Sequence, residues 1–446
     1  VGHKRIRAGR GKNAMISLFV VFAIACSIAL GYKTKINTGF FAMVFAYIIG
    51  CFCLELKSKD VIAMWPIQIF FVIFGVSLFY NFALLNGTLE KLASILLYQC
   101  RKVPRILPYA LFLAAALIAG LGAGFFTVMA FMAPITLMLC NKTGLNKLVA
   151  GVAINYGALG GANFMTSQSG IVFRGLIEAT GYTEDAFLFT TLIFVTSMLL
   201  PFFVITFLML ATRSHEVLGT HIDVSKPEAF DEKQRRTLCL IAIMMGLALF
   251  PPILHTIMPE NQTIQFINTR MDIGLISITM AVLALLMRLA DEKQAVTKVP
   301  WGTLIMICGV GMLISVAIKA GTIQILAGWV GTNIPAYLVP IALAVIGGIM
   351  SFFSSTLGVV CPALFPIVPA IADTTSLPGI ILFTSIVIGA QATAISPFSS
   401  GGSLYLGSCR DEEERNRLFI DLMFKAVPIC LTASVLASII IFLLFW

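Results

Sequence analysis

Apolar runs long enough to cross a bilayer follow one another along almost the whole chain. They lie near residues 14–31, 39–56, 66–86, 147–180, 187–212, 236–257, 271–288, 301–320, 378–408 and 423–446. A hydrocarbon core of roughly 30 Å takes about 20 apolar residues per helix, so each run reads as a membrane span. The runs are continuous rather than alternating, which predicts helices and not the strands of a membrane barrel. Two further apolar stretches, 106–140 and 336–372, are interrupted midway by "GLGAGFFT" (120–127) and "SFFSSTLG" (351–358). These predict re-entrant hairpins, which turn within the membrane and leave by the side they entered. Two of the spans also carry a break in mid-run, "GGANFMTSQSG" (160–170) and "QATAISPFSSGG" (391–402). "GTLEKLASILLYQC" (87–100) and "GTIQILAGWVGTN" (321–333) are too short to cross. They read either as interfacial helices between a fixed and a moving part, or as frayed ends of the spans before them.

The interruptions repeat. "NTGFFA" (37–42) aligns with "DIGLIS" (272–277), "VIFGVSL" (72–78) with "MICGVGM" (306–312), and "NGTLEKLA" (86–93) with "AGTIQILA" (320–327). Pro66 aligns with Pro300, "MAPI" (132–135) with "LFPI" (364–367), and "NFMTSQSG" (163–170) with "AISPFSSG" (394–401). The offset drifts only from 235 to 231, as a duplication requires. Five crossings separate the two starts, because a hairpin crosses nothing. An odd number inverts the second copy. The pattern predicts an all-α polytopic membrane protein of two inverted repeats, each with a re-entrant hairpin and a broken transmembrane helix. The expected division is 1–212 for the first repeat (hairpin 106–140, broken helix 147–180), 213–235 for a cytoplasmic linker, and 236–446 for the second repeat (hairpin 336–372, broken helix 378–408).

Composition agrees. With 59% hydrophobic and 11% charged residues among 446, the chain lacks the polar surface of a soluble domain. The net charge of +9 is no nucleic-acid signal, since the basic residues sit in short loops where they set topology. Placing the N-terminus outside puts most Lys and Arg in the cytoplasm, although "HKRIRAGRGK" (3–12) argues the other way. No cleavable signal is read, and Val1 rather than Met opens the chain, consistent with a further span upstream. The ten Cys are scattered through apolar runs and give no transition-metal spacing.

Backbone groups left unpaired in hydrocarbon cost several kcal/mol each, so breaks persist where they are buried or line a cavity. The half-helix after a break presents free N–H groups and a positive dipole end, which suit an anion. The half before it ends in free carbonyls, which suit a bare cation. The breaks therefore read as a shared anion and cation site; the alternative is close packing through small residues. Arg174, about one turn past the first break, is the one charge well inside a span. It reads either as a partner for a substrate carboxylate or as a snorkelling or carbonyl-bound side chain. Glu55, Glu90, Glu178, Asp272 and Asp373 lie near span ends, and His255 follows Pro251 and Pro252 at another. No deep relay for protons is apparent, which favours Na⁺ as coupling ion. Asn261-Gln262-Thr263 fits a glycosylation sequon. No phosphate loop, nucleophile elbow or HExxH motif occurs, and no Ser–His or paired Asp lies at depth, so neither an ATP-driven pump nor an enzyme is expected.

"NTGFFAMVFAYIIG", "FGVSLFYNFALLNGTLEKLA", "NYGALGGANF" and "SPFSSGGSL" resemble the malonate and C4-dicarboxylate carriers of the divalent anion:sodium symporter group, within the ion-transporter superfamily. The resemblance covers nearly the whole chain. It implies a homodimeric elevator-type carrier of small organic anions, most simply dicarboxylates, in a bacterial inner membrane, with no cofactor and Na⁺ as the coupling ion. In that group each hairpin tip bears Ser-Asn-Thr. Here the second tip reads Ser354-Ser355-Thr356, and the first reads Gly122-Ala123-Gly124 with no side chain to match. Ile395-Ser396-Pro397 fits the second broken-helix loop well, and Asn163 through Thr166 the first more loosely. The implied substrate residues are Ser354, Ser355, Thr356, Ser396, Pro397, Ser399, Asn163, Thr166 and Gly124, with Arg174 as the charged candidate. The implied cation residues are Gly122, Ala123, Phe164, Met165, Ser355, Ile395 and Pro397. A gluconate-type or oxyanion exporter, a proton-coupled carrier and an anion channel stay open as alternatives.

Overall fold

A computed structural model describes residues 2–100, 106–212, 227–258, 260–352, 354–409 and 411–446. Most of the expected linker (213–226) and Phe353 of the second tip lie outside these. Every regular element among the described residues is helical. Seven helices are long and apolar enough to cross a membrane, or eight if Gln262–Asn268 and Ile273–Leu286, bent by 65°, count as one. Ten spans were expected. Two of the seven, Phe125–Thr143 and Thr356–Thr375, are arms of the expected hairpins; among the expected spans, 14–31 and 39–56 and the broken 147–180 and 378–408 are represented by shorter helices.

Backbone punctuation follows the duplication. Pro66 and Pro300 precede the helices Ile67–Leu85 and Trp301–Lys319 with φ of −77° in both. Gly87 and Gly321 adopt φ of 73° and 76°, left-handed values that end a helix and that glycine takes without a Cβ penalty. The short helices Thr88–Cys100 and Thr322–Asn333 are therefore separate elements, not frayed ends. Glu55 and Arg288, which lie 233 residues apart, share φ of 58° and 53°.

Packing repeats as well. Thr38–Tyr47 of the first half lies against Trp301–Lys319 of the second, and Ile67–Leu85 lies against Ile273–Leu286. Each helix thus pairs with the mate of its own neighbour, which interlocks the halves. The crossings rest on glycine. A Cβ on Gly309 would sit 2.3 Å from the Gly39 carbonyl, and one on Gly75 would sit 2.9 Å from that of Gly274. Gly39 and Gly274 are mates, as are Gly75 and Gly309. Backbones that approach this closely admit no side chain between them.

A second group of helices carries the interruptions. Leu107–Gly120 packs along Lys147–Ala162, and Val339–Phe352 packs along Gly379–Ala392. Gly157 meets the Phe112 carbonyl at 2.2 Å from a would-be Cβ, and its mate Gly389 meets that of Ala344 at 2.1 Å. Helix Glu232–Ile257 begins inside the segment expected as linker, because a capping box fixes its start. The Asp231 carboxylate accepts from Gln234 N at 2.8 Å, and the Gln234 side chain accepts from Asp231 N at 3.1 Å.

Candidate functional site

Each interruption is held by its own chemistry. At the first tip, helix Leu107–Gly120 stops, Gly122 turns at φ of 93°, and helix Phe125–Thr143 starts after Gly124. The Tyr80 ring lies on Gly122, 1.8 Å from where a Cβ would stand. At the second tip, Ser354 Oγ donates to the Met350 carbonyl at 2.6 Å. Ser355 Oγ caps the returning helix by accepting from Gly358 N at 3.1 Å, and the Ser351 and Thr356 hydroxyls bond at 2.9 Å.

The broken helices are tied to these tips. Ser167, at the end of the first break, donates to the Ala119 carbonyl at 2.5 Å. Thr393, at the start of the second break, donates to the Gly348 carbonyl at 2.8 Å. Ser399 caps helix Ser400–Gly407, and its hydroxyl also donates to the Ala394 and Ser396 carbonyls at 2.6 and 2.7 Å. Hydroxyls and proline thus fill a gap that apolar side chains would leave unpaired.

All four interruptions open onto one cavity. Phe125 and Phe126 come from the first tip, and Leu159, Gln168, Ser169 and Phe173 from the first broken helix. Ser351 and residues Ser354 to Leu357 come from the second tip; Gln391, Ala394, Ser399, Ser400 and Gly401 come from the second broken helix. Thr303 of the interlocked group closes one wall. Helix starts at Phe125, Gln168, Thr356 and Ser400 all reach this lining. Four positive dipole ends therefore converge where, among the described residues, no charged side chain lines the wall. A second, wider opening shares Phe126 and Ser400 with it and carries Lys298 as its charged wall residue.

The expected site residues divide. Ser354, Ser355, Thr356 and Ser399 line the cavity. Ser396 is fully buried and its hydroxyl accepts from Phe398 N at 3.2 Å, closing the turn on itself. Asn163 and Thr166 are also buried behind the lining, Thr166 in the direction of Tyr80. Pro397, Ile395, Phe164, Met165, Gly122 and Ala123 belong to the breaks and the first tip without forming the wall, and Phe164 packs on Phe194. Gly124 stands one residue before the lining, 2.7 Å from Gln168 Oε1 at a would-be Cβ. Arg174 lies away from the cavity: its Nε donates to Glu178 one turn on at 2.8 Å, and its guanidinium faces the Phe187 ring. An i,i+4 partner lies within easy reach on a helix surface, which explains that choice.

Of the lining residues, Gln168, Ser169, Ser351, Ser400 and Gln391 lay within the quoted interruptions without being singled out as contacts, and Thr303 lay outside them. Gln391 carried a visible signal, a lone amide late in an apolar run. Asn155 is a further polar group at depth. Neither atom of its amide has a hydrogen-bond partner among the described residues, and its Oδ1 fills the place of a Gly401 side chain.

An all-α polytopic membrane protein whose interrupted helices meet around one cavity has the fold of a membrane transporter. It superposes on the crystal structure of the Alcanivorax borkumensis YdaH transporter, described as having an unusual topology, with a TM-score of 0.63 and 14% identity over 98% of this chain and 99% of that one. Residues 14–162 match the family model for the N-terminus of the dicarboxylate carrier protein MatC, so the resemblance read from the sequence is borne out over that stretch. The chain matches no curated protein.

Proposed function

We propose that this chain is a secondary active transporter of small organic anions, most simply dicarboxylates, coupled to Na⁺ and working by an elevator movement. The observation that carries the reading is the convergence of four helix starts and the second-tip hydroxyls on a wall without charged side chains among the described residues. Such a wall stabilises carboxylates through N–H groups and dipoles while keeping no fixed countercharge that would hold the cargo too tightly. Carbonyls that end the preceding half-helices, around Asn163–Met165 and Ile395–Pro397, suit a co-transported cation. The interlocked helices supply the fixed part, and the hairpins and broken helices the moving part, in two inverted halves joined by a cytoplasmic linker. A homodimer in a bacterial inner membrane completes the reading.

The test is uptake of labelled succinate into liposomes containing the protein. Saturable uptake driven by an inward Na⁺ gradient, and lost when choline replaces Na⁺, is expected. Unchanged uptake in choline at fixed pH removes the coupling; flux without saturation or counterflow indicates a channel instead.

A further inference from the structure

We propose that Gln391 donates a hydrogen bond to a carboxylate of the cargo, and that Asn163 is the residue that positions it. This rests on the anion-carrier reading above and assigns a contact within the same cavity. Gln391 ends the first half of the second broken helix and lines the cavity wall. Asn163 ends the first half of the other broken helix, 228 residues away in sequence. Their amides face each other head to tail. Gln391 Nε2 donates to Asn163 Oδ1 at 3.0 Å, and Asn163 Nδ2 donates to Gln391 Oε1 at 3.1 Å. Ser197 completes a ring: it accepts from Asn163 Nδ2 at 2.8 Å and donates to Gln391 Oε1 at 3.3 Å.

Counting donors shows what is left over. Asn163 spends both of its N–H groups, on Ser197 and on Gln391. The Ser197 hydroxyl spends its proton on Gln391. Gln391 spends one N–H on Asn163 and keeps one. The far side of the ring borders a small void walled by Leu200, Pro201, Val204 and Ile388, together with Cys430 and with Tyr156, whose hydroxyl donates to the Ala392 carbonyl at 2.6 Å. The other side is the cavity. An amide donor without a partner in an apolar interior costs about 1–3 kcal/mol, and a bound carboxylate oxygen removes that cost. The duplication sharpens the point. The mate of Gln391 is Gly160, and the mate of Asn163 is Ala394, so neither mate can form this pair. The amide ring therefore joins the two halves and has no symmetric counterpart in the duplication.

The experiment measures succinate binding and uptake for the wild-type protein, Gln391→Ala, Gln391→Glu, Asn163→Ala and the double alanine variant, with thermal midpoints for each. Gln391→Ala is expected to raise KM about ten-fold with Vmax changed less than about three-fold, as for loss of one charge-assisted bond. Gln391→Glu keeps the acceptor for Asn163 and Ser197 but brings a negative charge to the wall, and is expected to abolish binding. Asn163→Ala is expected to raise KM less, and the double variant to match Gln391→Ala, because the positioning residue acts through the other. Wild-type KM in Gln391→Ala or in Gln391→Glu overturns the proposal and leaves the carrier reading standing. Loss of binding only in step with a lowered thermal midpoint in every variant also overturns it, by making the ring purely structural. A wild-type protein that binds no diacid overturns the carrier reading and this assignment together.

Discussion

The two hairpin tips occupy equivalent places in the duplication and present opposite chemistry. The first is Leu121-Gly122-Ala123-Gly124 followed by two phenylalanines, sealed from behind by the Tyr80 ring. The second is Ser354-Ser355-Thr356, with hydroxyls that cap the returning helix and face the cavity. Both tips deliver a helix start to the same space. The difference teaches that duplication preserved what the backbone supplies, dipoles and N–H groups, while side-chain recognition gathered in the second half. Gln391 falls on that same half, held there by Asn163 and Ser197 of the first.

Substitutions can break the comparison. The largest effect is expected for Gly122→Ala, where the new methyl meets the Tyr80 ring and the left-handed backbone disfavours it. We expect a loss of about 3 kcal/mol or more and little folded protein, read from the thermal midpoint. Ser355→Ala removes both a cap and a cavity hydroxyl. Its KM for succinate is expected to rise about ten-fold, with about 1 kcal/mol of stability lost. Ser396→Ala sharpens the contrast, since that hydroxyl is closed within its own turn; KM is expected to stay within about three-fold of wild type, with a modest fall in thermal midpoint. Lys298→Gln, at the mouth, should have the smallest effect. A rise in KM of about two-fold at low ionic strength, vanishing at high salt, is the signature of steering by a rim charge.

Much of this arrangement was legible because interruptions are written in residues that break helices. Glycine pairs such as Gly87 and Gly321 mark ends whatever surrounds them, and Ser399 is a cap by type as well as by place. Residues whose role depends on a distant partner were not legible. Asn163 reads as a cargo contact in its own segment, but it is turned away because Gln391 and Ser197 complete its hydrogen bonds. Arg174 reads as a candidate counter-ion, yet Glu178 lies one turn away on the same helix and takes it. The start of helix Glu232–Ile257 was placed late because its charged first turn resembles a loop, and the Asp231–Gln234 box that nucleates it went unread.

The most direct test of the central claim is an experimental structure of the protein with bound succinate. The account predicts the diacid inside the cavity, with carboxylate oxygens at the Ser355 and Thr356 hydroxyls, the free Gln391 N–H, and the backbone N–H groups that open the helices at Gln168 and Ser400. Succinate lodged elsewhere, or held by a charged side chain such as Arg174, would contradict it.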